Sequence, residues 1–257
     1  MSDALAIELV PVLRDNYVHI VREPESGAVA VVDPSLADPV VAALKARGLK
    51  ADLILCTHHH PDHVGGVPGL RRHFGAAVVA PAGERQRIGY ADRWVGEGDE
   101  IAFGVTTARV LAIPGHTAGH IAFHFPRERA LFCGDTLFSL GCGRLFEGTA
   151  EQMWHSLQKI RTLDPETRIC CAHENTEANG RFALTLEPGN TALVERMREV
   201  VALRRAGRPT VPTRLDRECA TNPFLRPGSA EIRRTLGMEE ADDVAVFAEI
   251  RRRKDRF

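Results

Sequence analysis

Four histidines and one aspartate lie within a single six-residue segment, directly after the apolar residues 53–55. Imidazole and carboxylate groups are ligands of zinc, iron and manganese sites. A turn after a strand can direct one pair of these ligands at one metal ion and a second pair at a neighbouring ion. The alternative is a histidine-rich polar loop that binds metal only adventitiously. The density of ligand-type residues favours a metal centre, with the pairs His58 and His60, and Asp62 and His63.

Three further ligand candidates follow apolar runs of the sequence. Taken alone, a histidine after a strand is usually structural, and Gly-Asp-Thr is an ordinary turn. Side chains at the ends of several strands can nevertheless converge on one point, because strands are rigid supports. With the opening segment they make seven candidate ligands, enough for two metal ions with open coordination positions. The three are His116, Asp135 after residues 131–133, and His173 after residues 169–171.

Short apolar runs alternate with helical patterns in the first 176 residues, which predicts a layered α/β unit. The runs are rich in Val, Ile and Leu, as is typical of strands that are covered on both faces. Predicted strands cover residues 6–12, 17–21, 28–32, 53–56, 77–80, 100–103, 107–113, 121–125, 130–133 and 168–172. Predicted helices begin at Asp38-Pro39 and at the capping box Thr149–Gln152, and another lies between Val67 and Phe74.

Past Thr176 the sequence shows no convincing strand pattern. Asn190 and Ser229 can each cap a helix, and Gly237 can end the second of these helices. A final helix is predicted to begin near Asp242 and Asp243. We therefore predict two domains, an α/β catalytic domain over residues 1–176 and a smaller, mostly helical substrate-binding domain over residues 177–257.

Composition excludes several classes of function. The chain has 257 residues, 44% hydrophobic and 26% charged, and its net charge of -1 argues against nucleic acid as the main partner. No apolar run approaches the roughly 20 residues that a membrane span needs, and the N-terminal residues lack the basic region of a signal peptide. Six cysteines without paired spacing indicate reduced thiols. We expect a cytoplasmic, monomeric enzyme with no membrane partner.

Residues 57–63 resemble the His-x-His-x-Asp-His motif of the metallo-β-lactamase superfamily, and the three later ligand candidates follow in that superfamily's order. Within the superfamily the chain most resembles the hydroxyacylglutathione hydrolases, also called glyoxalase II. The segments that carry this narrower resemblance span the whole chain. They are residues 141–150 (GCGRLFEGTA), 187–190 (EPGN), 221–226 (TNPFLR) and 251–257 (RRRKDRF).

The resemblance implies a fold, a pair of metal ions and the residues that coordinate each ion. The implied fold is an αββα sandwich followed by a smaller helical domain. A ligand set of histidine and carboxylate without cysteine suits two divalent metal ions. Zinc is the first choice, and iron and manganese remain alternatives. His59 and His120 match non-ligand positions. The implied ligands are His58, His60 and His116 for one ion and Asp62, His63 and His173 for the other, with Asp135 bridging the two.

The resemblance also implies the reaction, hydrolysis of S-(2-hydroxyacyl)glutathione to glutathione and a 2-hydroxy acid, the second step of methylglyoxal detoxification. Hydroxide held between the metal ions would attack the thioester carbonyl, since a metal ion lowers the pKa of water from about 15.7 toward about 7. Asp62 and Asp135 are the catalytic candidates. No general acid is nominated, because the leaving thiolate has an intrinsic pKa near about 8.5.

Cations are expected to select the substrate, because glutathione carries carboxylates. Arg251 and Lys254 lie on one helical face, and they match the family's glutathione-carboxylate contacts. A solvated basic helix end is the alternative interpretation. Arg144 matches a basic residue of the family's active-site loop. Phe146 and Asn175 stand where compared family members carry tyrosines, which puts the exactness of glutathione selection in question.

Two other classes of function compete with this interpretation. The first is another enzyme of the superfamily, such as a hydrolase of a different thioester or of a lactone, or a persulfide dioxygenase. The second is a non-catalytic metal-binding or nucleic-acid-binding module. The complete ligand set argues against lost catalysis, and the near-neutral net charge argues against nucleic acid.

Overall fold

The computed structural model describes residues 4–257, which divide into two compact units. The first unit contains the residues up to 112 together with 118–134, and the second contains 113–117 together with 135–257. The domain boundary predicted between residues 176 and 177 stays a prediction. Among the described residues, none of the helices combines the length and the apolar character of a membrane span.

A six-stranded sheet forms one layer of the first unit. Its first three strands are antiparallel, and the next three continue in parallel. Parallel neighbours need crossover connections, which explains why helical segments follow β3, β4 and β5. In sheet order the strands are β1 (Ala6–Val12), β2 (Asn16–Arg22), β3 (Val29–Val32), β4 (Leu53–Leu55), β5 (Ala77–Pro81) and β6 (Arg93–Val95).

Four helices follow strands of this sheet: α1 (Ala37–Ala46), α2 (Pro61–Val64), α3 (Val67–Phe74) and α4 (Arg85–Ile88). Val40 of α1 and Leu70 of α3 are fully buried in one hydrophobic cluster with Ile54 of β4. This cluster fixes the end of β4. The single turn of α2 begins there with Pro61, a residue that suits the first helical position because it lacks an N–H.

The second layer of the first unit is an antiparallel sheet whose strands lie in the order β10, β9, β8 and β7. Every residue of β9 and β10 is buried. Phe132 of β10 packs edge-on against His19 of β2, with 5.4 Å between the ring centroids, so the two layers of the unit are in contact. The strands are β7 (Glu100–Phe103), β8 (Thr106–Ala112), β9 (Ile121–Phe125) and β10 (Ala130–Gly134).

The second unit is mostly helical. Thr149 and Gln152 form the predicted capping box, and Asn190 accepts the predicted capping hydrogen bond from the backbone. Ser229 is the N-cap residue as predicted but makes no side-chain capping bond, whereas Asp242 does. Its helices are α5 (Ala150–Arg161), α6 (Thr176–Leu186), α7 (Thr191–Arg205), α8 (Leu215–Thr221), α9 (Ala230–Leu236) and α10 (Asp243–Lys254). Its strands are β11 (Leu137–Phe138), β12 (Gly141–Cys142), β13 (Arg168–Cys171) and β14 (Thr213–Arg214).

Several element predictions were wrong in detail. A strand, β14, lies in the region predicted to have none, and its Thr213 pairs with Ile169 of β13. Two residues are too few to show an alternating pattern, so this strand leaves no signal in the sequence. Helix α1 begins at Ala37 with Leu36 as its N-cap, whereas the sequence predicted Asp38 as the N-cap and Pro39 as the first helical residue, two positions later.

Candidate metal centre

The ligand candidates of the first unit lie directly after β4. Two ligand atoms about 2.1 Å from one tetrahedral ion are about 3.4 Å apart. His58 Nε2 and His60 Nδ1 are 3.1 Å apart, and Asp62 Oδ2 and His63 Nε2 are 3.6 Å apart. Both separations suit atoms that share an ion. The segment therefore presents the two pairs that its spacing predicts.

A buried aspartate, Asp33, orients the two buried histidines of this segment. One of its oxygens lies 3.0 Å from His63 Nδ1 and also accepts a 2.7 Å hydrogen bond from the Thr57 hydroxyl. That hydroxyl is in turn 3.0 Å from His58 Nδ1. Because the Nδ1 atoms meet this network, the Nε2 atoms are the ones directed toward a metal ion.

Asp62 is held by two side chains from different elements. The Asn16 amide donates to Asp62 Oδ2 at 3.0 Å, and the Ser35 hydroxyl donates to its main-chain carbonyl at 2.5 Å. Asn16 is buried, whereas the Asp62 side chain is 38% exposed. The carboxylate is therefore fixed at one end and open to solvent at the other, as a group that meets a substrate or a water molecule must be.

The ligand candidates of the second unit meet at Asp135. Its Oδ2 lies 3.4 Å from His116 Nε2 and 3.3 Å from His173 Nε2. The two histidines are predicted ligands of different ions. Asp135 Oδ2 lies at nearly equal distances from both, as is expected of a bridging ligand. Within each unit, the imidazole nitrogens and carboxylate oxygens thus lie at separations that fit divalent metal ions.

The backbone around this carboxylate depends on glycine. Gly134 has a φ of +47°, and a Cβ there would lie 2.3 Å from the Thr57 hydroxyl. At Gly143 a Cβ would lie 1.9 Å from the Asp135 carbonyl oxygen. The close approach lets the Arg144 carbonyl reach His116 Nδ1 at 2.9 Å, which directs Nε2 toward Asp135.

The remaining histidines and cysteines near the ligands have other contacts. His59 Nδ1 contacts the Glu84 carboxylate, and its Nε2 lies 2.9 Å from the Arg87 guanidinium. His120 stacks on His58 at 4.5 Å, and its Nδ1 lies 3.1 Å from a carbonyl oxygen. Burial raises the pKa of the Cys142 thiol to about 11, so this thiol stays protonated at neutral pH.

Four of the five substrate candidates line one cavity of about 180 Å³ in the second unit: Arg144, Asn175, Arg251 and Lys254. Phe146, the fifth, is 62% exposed and packs edge-on against His116 at 5.2 Å. Burial, followed by Arg251 and Arg144, lowers the pKa of Lys254. The cavity therefore concentrates positive charge, which suits an anionic ligand.

Arg251 differs from its neighbours because its guanidinium is almost fully enclosed. It donates to the Cys142 carbonyl at 2.7 Å and to Asp255 at 2.8 Å, and only 5% of the residue is exposed. These bonds fix the backbone that precedes Arg144. Arg144 and Lys254 are the more accessible cations of the cavity.

Asp33, Asn16 and Ser35 contact candidate ligands and escaped the sequence analysis. A signal for Asp33 exists, since it follows the buried strand β3 as Asp135 follows β10. Asn16 has no such signal, because it lies in a hairpin 46 positions before its partner Asp62.

Models of two protein families match the chain. The model of the metallo-beta-lactamase superfamily matches residues 13–173, and the model of the hydroxyacylglutathione hydrolase C-terminus matches residues 174–257. The hydroxyacylglutathione hydrolase of Methylococcus capsulatus is 58% identical over 253 residues, which cover 98% of this chain and 99% of that protein.

Two solved structures share the fold. The crystal structure of ETHE1 from Myxococcus xanthus has a TM-score of 0.68 at 22% identity and covers 96% of this chain and 90% of that one. The crystal structure of TTHA1623 in a di-iron-bound form has a TM-score of 0.57 at 28% identity and covers 66% of this chain and 96% of that one.

These similarities confirm the predicted fold class, a metallo-β-lactamase fold followed by a helical C-terminal domain. They also confirm that the chain is an enzyme, because the full-length relative is itself a hydrolase. The family models and the relative agree over nearly the whole sequence. The chain therefore belongs to the hydroxyacylglutathione hydrolases of the metallo-β-lactamase superfamily.

Proposed function

We propose that this chain hydrolyses S-lactoylglutathione and related S-(2-hydroxyacyl)glutathione thioesters to glutathione and a 2-hydroxy acid. The reaction is the second step of methylglyoxal detoxification. The observation that carries the proposal is Asp135 Oδ2, which lies 3.4 and 3.3 Å from the nitrogen atoms of His116 and His173. The name and the 58% identity of the full-length relative support the substrate class.

We assign the metal ligands by the family motif. His58, His60 and His116 would hold one ion, Asp62, His63 and His173 the second, and Asp135 both. A bound divalent ion would polarise the thioester carbonyl and lower the pKa of water toward about 7. Zinc is the first candidate, and the di-iron form of TTHA1623 supports iron as an alternative. Manganese remains a third candidate, because the donor set suits all three ions.

The chain's own residues then orient the reaction. The exposed end of the Asp62 carboxylate accepts a hydrogen bond from the attacking water, and the Asn16 amide keeps that carboxylate in place. The leaving thiolate is a weak base, because the pKa of its thiol is about 8.5, so it departs without a general acid. Asp62 and Asp135 are accordingly the catalytic carboxylates.

The cavity of the second unit would bind the glutathione moiety. Arg144 and Lys254 provide cations for its carboxylates, and Arg251 fixes the loop that carries Arg144. Asn175 can donate a hydrogen bond to the peptide backbone of glutathione, whereas Phe146 offers only an apolar contact. We propose further that the protein acts as a monomer in the cytoplasm, without a nucleic-acid or membrane partner.

A thioester assay on the metal-loaded protein tests this function. S-lactoylglutathione should lose its thioester absorbance at a rate well above that of a lactone or of a thioester without glutathione. Preferred hydrolysis of either control would replace the proposed substrate class. Oxygen consumption with glutathione persulfide would indicate a persulfide dioxygenase, and salt-sensitive RNA binding without turnover would indicate a binding module.

A further inference from the structure

The cations of the substrate cavity are held in two different ways. Arg251 forms an ion pair with Asp255 at 2.8 Å, and Arg144 lies 4.0 Å from the same carboxylate. Lys254 instead lies against two phenyl rings. Its ammonium nitrogen is 5.6 Å from the ring centroid of Phe182 and 5.3 Å from that of Phe257. Arg251 also lies over a ring, that of Phe224, at 5.0 Å. The two arginines thus share a carboxylate, whereas the lysine lies against two rings.

The two rings are themselves held in place. Phe182 of α6 is 2% exposed and stacks on Phe224 with 6.3 Å between the centroids. Phe257 packs edge-on against Phe182 at 5.5 Å and remains 62% exposed. One ring is therefore a fixed, buried support, and the other covers the lysine from the solvent side.

A ring and a carboxylate have different consequences for a cation that must bind an anion. The negative face of a phenyl ring attracts an ammonium group without neutralising it. A carboxylate partner would compete with the carboxylate of a substrate for the same hydrogen-bond donors. A free lysine would lose much side-chain freedom on binding, whereas a lysine that rings already restrain loses less.

We propose that Phe182 and Phe257 are positioning residues that hold the Lys254 ammonium ready for a carboxylate of the substrate. The inference rests on the proposed function for the substrate class, glutathione and its thioesters. The rings act through Lys254, so they govern binding and leave the chemical step unchanged. Affinity for glutathione compounds then depends on aromatic residues that touch no part of the substrate.

Leucine substitutions test the proposal. Phe257→Leu removes an exposed ring without opening a cavity, and Phe182→Leu removes the buried one. Each should raise the KM for S-lactoylglutathione and the Kd for S-methylglutathione about two- to tenfold, with kcat unchanged. Phe103→Leu is the matched control, because Phe103 is a buried ring of β7 in the first unit and contacts Phe125. It should leave both constants near the wild-type values.

Two further variants separate positioning from packing. Phe257→Tyr keeps a ring and should restore the wild-type Kd. In a Lys254→Met background, Phe257→Leu should add no further effect, because the cation that the ring holds is gone. A Phe257→Leu effect that persists there, or a Phe257→Leu protein that binds S-methylglutathione as tightly as wild type, would overturn the inference. Wild-type protein that binds S-methylglutathione but does not hydrolyse the thioester would overturn the proposed function alone.

Discussion

The ligand segment of the first unit, residues 58–63, and the cation cluster of the second, Arg144, Arg251 and Lys254, show opposite ways of fixing charged side chains. In the ligand segment, hydrogen bonds with Asp33, Thr57 and Asn16 orient the side chains, and His58 and His63 are fully buried. In the cation cluster, one carboxylate and three rings contact the three cations, and the Arg144 side chain is 67% exposed.

The difference teaches which property each region needs. Metal ligands must stay within a few tenths of an ångström of their position, so several directed bonds hold each one. Lys254 is to bind a flexible, charged substrate, and the rings beside it restrain its ammonium group without neutralising the charge. The first region should therefore respond to substitution with loss of metal and rate, and the second with loss of affinity.

The largest expected effect follows removal of a ligand from the first region. His58→Ala should lower kcat/KM by more than about 100-fold, beyond the range typical of residues that only support a ligand. The metal content measured by elemental analysis should fall with it. His73→Ala is the control, because His73 is an exposed histidine of α3. A His58→Ala protein with full metal content and full activity would contradict the ligand assignment.

A smaller effect should follow loss of the carboxylate that orients the ligands. Asp33→Asn keeps the size of the side chain but leaves only one acceptor oxygen. That oxygen cannot serve both the Thr57 N–H on one side and the Thr57 hydroxyl and His63 on the other. The metal affinity should fall about 10- to 100-fold, as measured by competition with a chelator. An unchanged affinity would mean that the ligand segment is fixed by its backbone alone.

In the cation cluster, Lys254→Met should change affinity and spare the rate. The KM for S-lactoylglutathione should rise about tenfold, because a charged hydrogen bond to the substrate is lost, while kcat and metal content stay the same. Arg252→Met offers a matched control on the same helix, since Arg252 is exposed and pairs with Glu249. A fall in kcat with an unchanged KM would show that Lys254 acts on the chemical step and not on substrate binding.

The smallest effect is expected at Asn175, where compared family members carry a tyrosine. Asn175→Tyr supplies the hydroxyl that compared family members carry, and it should lower the KM about two- to fivefold through one added hydrogen bond. Steady-state kinetics with the thioester measure this change directly. A higher KM in the variant would indicate that the cavity is already adapted to the smaller amide.

Much of the fold and the positions of the candidate ligands were predictable, because the candidates follow rigid strands. His116, Asp135 and His173 each follow a recognisable apolar run, and the motif of residues 58–63 supplies the rest. Helix α6 was missed because Gly180 lies in its interior and Asn175 makes no side-chain capping bond. That glycine is needed, since a Cβ there would lie 1.9 Å from Met197 Sδ.

The contacts between distant residues were not predictable. Asp33 lies 30 positions before His63, and its pairing depends on how β3 and β4 align in the sheet. The rings around Lys254 come from α6 and from residue 257, and no local pattern relates them to the lysine. Sequence motifs thus identify the groups that react, whereas the groups that hold them depend on the packing of the chain.

Reconstitution of the metal-free protein tests the central claim most directly. Chelator-treated protein should hydrolyse no S-lactoylglutathione, and its activity should rise with added zinc and reach a plateau when two ions are bound per chain. The paired ligands in the first unit and the bridging position of Asp135 predict this stoichiometry. Hydrolysis by the metal-free protein, or none by protein that holds two ions, would contradict the account.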